Sequence, residues 1–297
     1  MFQSGFITIV GKPNVGKSTW LNAVMKEKIS ITSAKPQTTR DTIRGIYHYE
    51  GGQMIFIDTP GIHQSKHRLG ANMTKNALAT LNSVDVILYM VSATDKYDES
   101  DQMILDTLKH ARTPKVLVIN KTDLVKDVPR LEGYIQRYKD AVNFDLVVGI
   151  SALKGTFVDT LINDLKPFLP EGPPYYPTDM KTDSPKQHMI SERIREKILR
   201  LTQEEIPHSV MVTVEYIEPD DTFKNVLNIH ASIIVERDSQ KGILIGKGGA
   251  MIKRIGTQAR EDILALLGEK IFLDLHVKVI KDWRNKEHHL KQFGYIE

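Results

Sequence analysis

The sequence predicts an α/β protein of two domains. The first is built on a mostly parallel six-stranded sheet with helices on both faces, and the second is a smaller α+β unit. Three observations carry this reading. Short β-rich runs alternate with helical patterns from Phe6 to about Leu169, as expected of a parallel sheet covered on both sides. The stretch Pro170-Glu-Gly-Pro-Pro-Tyr-Tyr-Pro, followed by Pro185, interrupts that alternation, because fixed φ angles and missing N–H donors cannot continue a helix or a central strand. The 297 residues suit two domains at roughly 100–200 residues each. The expected division is a first domain over 1–169, a linker over 170–188 and a second domain over 189–297.

In the first domain strands are expected at Phe6–Val10, Thr42–Tyr49, Met54–Asp58, Asp85–Val91, Lys115–Asn120 and Asp145–Ile150. Helices are expected between them, at about Gly16–Glu27, Asn72–Asn82, Ser100–Ala111, Pro129–Ala141 and Thr156–Pro167. Gly51-Gly52 separates the second and third strands, which marks one antiparallel hairpin within the sheet. The second domain reads helix Ile190–Glu204, strands Ser209–Ile217 and Val226–Glu236, helices Ser239–Ile245 and Met251–Leu267, then strand Lys270–Lys281. Ile194, Ile198 and Leu201 recur at spacings of four and three, giving one buried helical stripe. Val210, Val212, Val214 and Tyr216 alternate with Met211, Thr213 and Glu215, so that strand has one covered face.

Composition bounds the chemistry. Charged residues are 26% and apolar residues 41%, a globular balance that excludes a wholly disordered chain. Forty Lys+Arg against 37 Asp+Glu leave +3, so net charge alone calls for no polyanionic partner. There are no cysteines, which excludes disulfides, thiolate nucleophiles and Cys-ligated zinc and favours a reducing compartment. Apolar runs such as Val86–Val91 are too short to span a bilayer, and the N-terminus lacks a basic start and apolar run. A cytoplasmic protein is expected.

Gly11-Lys12-Pro13-Asn14-Val15-Gly16-Lys17-Ser18, followed by Thr19, fits G-x-x-x-x-G-K-[ST] between a strand and a helix, the context of a phosphate-binding loop. Glycines let backbone N–H groups converge on phosphate oxygens, and the helix N-terminus adds its dipole. Lys17 would neutralise the β/γ-phosphates and the Ser18 hydroxyl would ligate Mg²⁺. Asp58-Thr59-Pro60-Gly61 follows the third strand; its carboxylate suits Mg²⁺ and the Gly61 N–H the γ-phosphate. Asn120-Lys121-Thr122-Asp123 ends the fifth strand. The Asp123 carboxylate can accept from guanine N1–H and the 2-amino group, donors that adenine does not offer. Asn120 would fasten this loop and Lys121 would pack along the base plane. Ser151-Ala152-Leu153 follows the sixth strand, with the Ala152 N–H aimed at guanine O6.

Gln37-Thr38-Thr39-Arg40-Asp41 lies where a mobile switch segment is needed. Its spacing before Arg40-Asp41 selects Thr39 to offer a hydroxyl to Mg²⁺ and a carbonyl to the attacking water, with Thr38 as the alternative. These motifs resemble the translation-factor-class GTPases. One departure is Ile62, which stands where Ras-like enzymes carry a water-orienting glutamine; it can neither donate nor accept, so slow intrinsic turnover is expected. In related GTPases an asparagine at the position of Asn14 helps to bind K⁺ beside the phosphates, so the resemblance implies K⁺ as a second cation and a catalytic part for Asn14 beside Lys17, Thr39 and Gly61.

The second domain carries Ile245-Gly246-Lys247-Gly248-Gly249 between two helical patterns. With the order α-β-β-α-α-β this matches a type II KH domain and its G-x-x-G loop, which clamps about four nucleotides. Lys241–Arg260 holds five basic residues, Lys247, Lys253 and Arg254 among them, and no acid. Ile243, Ile245, Ile252 and either Ile233 or Val235 are expected to line an apolar groove for unstacked bases. His63 and His67 lack the glutamate of H-E-x-x-H, so no metal is assigned to them. Trp20 and Trp283 are read as packing residues.

From Gly5 to about Lys291 the chain resembles the Era-like family of GTPases. The resemblance implies binding of the 3′ region of small-subunit (16S) ribosomal RNA, a role in small-subunit assembly and rRNA maturation, a monomer, and peripheral contact with the inner membrane. Three other readings stay open, one of them a passive RNA-binding module that uses GTP as a structural ligand. A regulatory membrane GTPase could use a KH-like domain for protein or lipid, with the basic run Lys278–Lys291 against anionic lipid. An ATP-dependent enzyme is opposed by Asp123.

Overall fold

The computed structural model describes residues 1–65 and 67–296. Contacts divide the chain into two compact units. The first holds Met1–Thr32, Thr39–Lys66 and Gly70–Asp183; the second holds Ser33–Thr38, His67–Leu69 and Ser184–Glu297.

The first unit contains β1 (Gln3–Val10), α1 (Lys17–Met25), β2 (Ile43–Tyr49), β3 (Gly52–Asp58), most of α2 (Arg68–Ala79), β4 (Val86–Ser92), α3 (Glu99–Leu108), β5 (Lys115–Asn120), α4 (Val128–Ala141), β6 (Leu146–Gly149) and α5 (Val158–Leu165). Its strands form one sheet in the order β2-β3-β1-β4-β5-β6. The β2–β3 hairpin is antiparallel and the other pairings are parallel. β3 and β4 are buried along their whole length, which is why their sequences read as continuous runs rather than alternations. On one face Ile7, Phe56 and Leu88 pack against Trp20 and Leu21 of α1 and Leu161 of α5. On the other, Tyr89 and Ile119 meet Leu105 of α3 and Tyr138 of α4. The sheet therefore delivers four loops to the C-terminal ends of β1, β3, β5 and β6, where open parallel sheets bind ligands.

The proline-rich segment, read as a linker over 170–188, is hydrogen-bonded to the first unit over its first half. Residues up to Asp183 belong to the first unit, and α6 (Lys186–Leu201) already starts inside the expected linker. Pro170 O accepts from the Ser4 N–H at 3.1 Å and the Gly172 N–H donates to Phe2 O at 3.0 Å. Gln53, fully buried in β3, accepts from the N–H groups of Tyr175 and Tyr176 at 2.9 and 3.1 Å and donates to Tyr176 O at 2.9 Å. One side-chain amide supplies the partners that a proline-rich backbone cannot supply to itself.

The second unit follows α6 with α7 (Ile206–Ser209), β7 (Met211–Pro219), β8 (Val226–Val235), α8 (Asp238–Ile245), α9 (Ala250–Leu267), β9 (Lys270–Val279) and α10 (Glu287–Gln292). β8 lies between antiparallel β7 and parallel β9, and a register shift marks β7 between Val214 and Tyr216. Ile190, Ile194 and Ile198 of α6 and Ile255, Ala259 and Ile263 of α9 bury Val212, Ile229, Ala231, Ile233 and Val235 on one face of this sheet. Leu201 is only partly buried at the margin of that core. The short helices α7 and α10 carry too few residues to show a periodic pattern in sequence. Among the described residues no helix is long and apolar enough to cross a membrane.

A candidate nucleotide site and a candidate nucleic-acid interface

The loop between β1 and α1 curls around the Lys17 ammonium. Lys17 Nζ donates to Gly11 O at 3.1 Å and to Lys12 O at 2.9 Å. Burial pulls its pKa down from 10.5 to about 8, against the attraction of Asp58. Lys12 turns the other way. Its side chain leaves the loop and donates to Asp101 at 2.7 Å, Asp98 at 3.0 Å and Lys96 O at 2.8 Å, while the second Asp101 oxygen accepts from Tyr89 Oη at 2.8 Å. Only the backbone of Lys12 faces the loop's interior, through its carbonyl. Pro13 is half-buried and Thr19 lies in α1.

Behind Lys17 three oxygens converge. Ser18 Oγ donates to Asp58 Oδ2 at 2.6 Å and lies 2.9 Å from Thr39 Oγ1. Ser30, which no motif marks, donates to the same Asp58 oxygen at 3.0 Å. Burial raises the Asp58 pKa despite Lys17, Ser18 and Ser30. Asp58 Oδ1 is buried without a hydrogen-bond partner, a costly state for a carboxylate oxygen unless a cation or water completes it. The oxygen-only donor set suits Mg²⁺. Thr38 is otherwise engaged: its hydroxyl donates to Lys35 O at 2.7 Å and its carbonyl accepts from Arg195.

After Asp58, Thr59 Oγ1 donates to Ile9 O at 2.7 Å, Pro60 and Gly61 are buried, and the Ile62 N–H donates to Gly11 O at 3.0 Å. The Ile62 side chain is fully buried in the core beside α2 and α3. It therefore points into the protein rather than toward any water above the loop.

The base-recognition loops are tied to the phosphate loop. Asn120 Nδ2 donates to Val15 O at 2.8 Å, and Asn120 Oδ1 accepts from the Ala152 N–H at 2.9 Å. Lys121, in a left-handed conformation with φ 63°, donates to Asn14 O at 2.7 Å. Asn14 is itself left-handed, with φ 62°. Asp123 is exposed, Ser151 is buried, and Leu153 stands in solvent.

In the second unit α8 ends at Ile245 and the chain turns through Gly246, Gly248 and Gly249, with φ of 72°, 60° and 79°. Such a turn is open only to glycine at low cost. Lys247, Lys253 and Arg254 are exposed around it, and Ile243 is 54% exposed. Ile245 and Ile252 are half-buried. Ile233 and Val235 are fully buried in the core, so neither lines a groove as expected: both project from the covered face of β8. A cleft of about 510 Å³ instead runs along α9 and β9, lined by Ile252, Lys253, Arg260 and Phe272.

The family described as "50S ribosome-binding GTPase" matches residues 6–121 and the family described as "KH domain" matches residues 205–284. The GTPase Era of Staphylococcus haemolyticus (strain JCSC1435) is 50% identical over 298 residues, covering 99% of this chain and 98% of that protein. Two crystal structures superpose on the whole chain, each with 40% identity, a TM-score of 0.95 and complete coverage of both chains. One is an Aquifex aeolicus Era variant bound to GDP and AlF₄⁻. The other is Era in complex with MgGDPNP and nucleotides 1506–1542 of 16S ribosomal RNA. A phosphate loop locked to a guanine-type loop, ahead of a KH domain and aligned end to end with these relatives, places the chain in the Era family of GTPases.

Proposed function

We propose that this GTPase binds the 3′ region of small-subunit ribosomal RNA and acts in small-subunit assembly and rRNA maturation. The observation that carries the reading is the three-glycine turn between α8 and α9, ringed by exposed Lys247, Lys253 and Arg254. A backbone there can approach phosphates closely, and the adjoining cleft offers Ile252 and Phe272 to unstacked bases. The Era complex with 16S nucleotides supports the same assignment.

In the first unit, N–H groups of residues 11–19 would hold the phosphates, Lys17 would bridge the β- and γ-oxygens, and Asp123 with the Ala152 N–H would read guanine. Ser18, Thr39 and Asp58 would hold Mg²⁺, which when bound supplies positive charge between the phosphate oxygens. Thr39 O would orient the attacking water and the Gly61 N–H would meet the γ-phosphate. The buried Ile62 side chain cannot orient that water, so turnover is slow until a further group assists. If GTP and RNA favour the same conformation, each tightens the other, and hydrolysis releases the RNA.

The test is crosslinking in cells followed by sequencing of the attached RNA, comparing wild type with Lys247→Asp/Gly248→Asp. A Cβ at Gly248 meets nothing within 4 Å, but at a φ of +60° a side chain there strains the turn, so Lys247→Asp is also tested alone and should lose most of the same reads. Reads piled at the 3′ end of small-subunit rRNA and lost in the variant are expected. Wild-type reads scattered at background would remove the RNA role.

A further inference from the structure

We infer that His230, Asp274 and His276 form a binding site for one divalent transition ion of the Zn(II), Co(II) or Ni(II) class on the open face of the second unit's sheet. His230 and Asp274 are direct partners in the parallel β8–β9 register, and His276 lies two residues beyond Asp274. Alternation along a strand puts all three on one face. The opposite face is the one buried beneath α6 and α9, since Ile229, Ala231 and Ile233 project into the core.

The donor atoms are already close. His230 Nδ1 is 3.1 Å and His276 Nε2 2.9 Å from the same oxygen, Asp274 Oδ2, and one ligand atom from each residue lies within 4.8 Å of the others. With metal–ligand bonds of about 2.1 Å, adjacent donors sit roughly 3.0 Å apart in an octahedron and 3.4 Å in a tetrahedron. Both nitrogen–oxygen separations fall near these edges without moving the backbone. Orientation is also provided for: the Tyr216 ring stacks on His230 with centroids 4.2 Å apart, restricting the imidazole as outer-shell partners do at metal centres. Neighbouring Glu215 is occupied by Ser232 at 2.6 Å and Lys278 at 2.5 Å. The site thus offers three protein ligands and leaves the remaining positions to solvent.

Two imidazoles with one carboxylate favour borderline ions over Mg²⁺ and Ca²⁺, which prefer all-oxygen sets. The oxygen cluster at Ser18, Thr39 and Asp58 and the histidine pair on β8 and β9 are therefore chemically separate, and filling one does not require the other. An ion here would clip β8 to β9 beside the cleft that Phe272 lines, so its expected effect is a more stable second unit.

The experiment uses the full chain, stripped with chelator and saturated with Mg²⁺ and GDP, then titrated with Co(II) and followed by visible absorption. One equivalent with new d–d bands is expected. His276→Asn and His230→Asn should each weaken binding at least about 100-fold, while His288→Asn leaves it unchanged. Because His276 is exposed, its replacement leaves the core intact. Urea unfolding in a Trp20→Phe background, followed by Trp283, the second unit's buried tryptophan, should shift to higher urea with Zn(II) only when both histidines are present. No saturable binding up to about 1 mM, or equal binding by a His230→Asn/His276→Asn variant, would overturn the site and leave a hydrogen-bonded His–Asp–His cluster.

Discussion

Replacing Asn120 by alanine removes the clasp between the phosphate loop and the base loops. Two buried groups lose their partners: Val15 O, now 2.8 Å from Asn120 Nδ2, and the Ala152 N–H, now 2.9 Å from Asn120 Oδ1. Leaving a buried donor or acceptor unmade costs roughly 1–3 kcal/mol each, so the first unit should lose about 2–6 kcal/mol. Asn120→Asp keeps the acceptor for Ala152 but sets a buried carboxylate oxygen against Val15 O, so it should cost at least as much as the alanine. The chain holds two tryptophans, buried Trp20 in α1 and buried Trp283 in the second unit. A Trp283→Phe background therefore lets Trp20 fluorescence report urea unfolding of the first unit alone. Trp283 Nε1 bonds Ser209 O at 2.9 Å, so that background change bears on the second unit. GDP affinity should fall at least about tenfold, because the loops no longer wait in place. If nucleotide-free stability stays within about 0.5 kcal/mol of the parent while GDP binding collapses, Asn120 acts on the nucleotide and the clasp argument is wrong.

Gly16→Ala should reproduce that phenotype from the other side, since its Cβ would lie 2.1 Å from Asn120 Nδ2 at a φ of +106°; calorimetry should show GDP binding weakened at least about tenfold. Lys17, at about 8 when the site is empty, should take up a proton when phosphates arrive. Above pH 8 GDP affinity should fall up to about tenfold per pH unit, and calorimetry in two buffers of different ionisation heat should count the proton. The same depression means that the unfolded chain binds more protons between pH 8 and 10.5, so nucleotide-free stability rises across that window. Uptake from Lys17 should fade as the pH falls below 8 and vanish by about pH 6. Hydrolysis should run faster in KCl than in NaCl, and Asn14→Ala should abolish the difference; equal wild-type rates would exclude a K⁺ role.

The parallel sheet was readable because β3 and β4 are buried end to end and so spell uninterrupted apolar runs. The hairpin was readable because Gly51-Gly52 leaves few alternatives. Motif spacing likewise groups Ser18, Asp58 and Thr39, whose side chains meet at the Ser18 hydroxyl. What stayed hidden depends on contacts between residues far apart in sequence. Gln53 anchors Tyr175 and Tyr176 from 122 and 123 positions away, so the prolines looked like a spacer. Ser30 meets Asp58 from a loop with no motif. Ile233 and Val235 looked suited to a groove because an alternating strand shows which residues share a face but not which face is covered.

The Lys12 anchor changes how the phosphate loop should drift over evolution. A motif written G-x-x-x-x-G-K-[ST] treats position 12 as free, yet here its ammonium is fixed by Asp101 and Asp98 and only its carbonyl meets Lys17. Losing one partner would strand the other in a site where Asp101 is fully buried. Positions 12 and 101 should therefore change as a pair among homologues, with Tyr89 following when the carboxylate goes. A lineage that exchanges the lysine for an apolar residue should be found to have neutralised α3 at the same step.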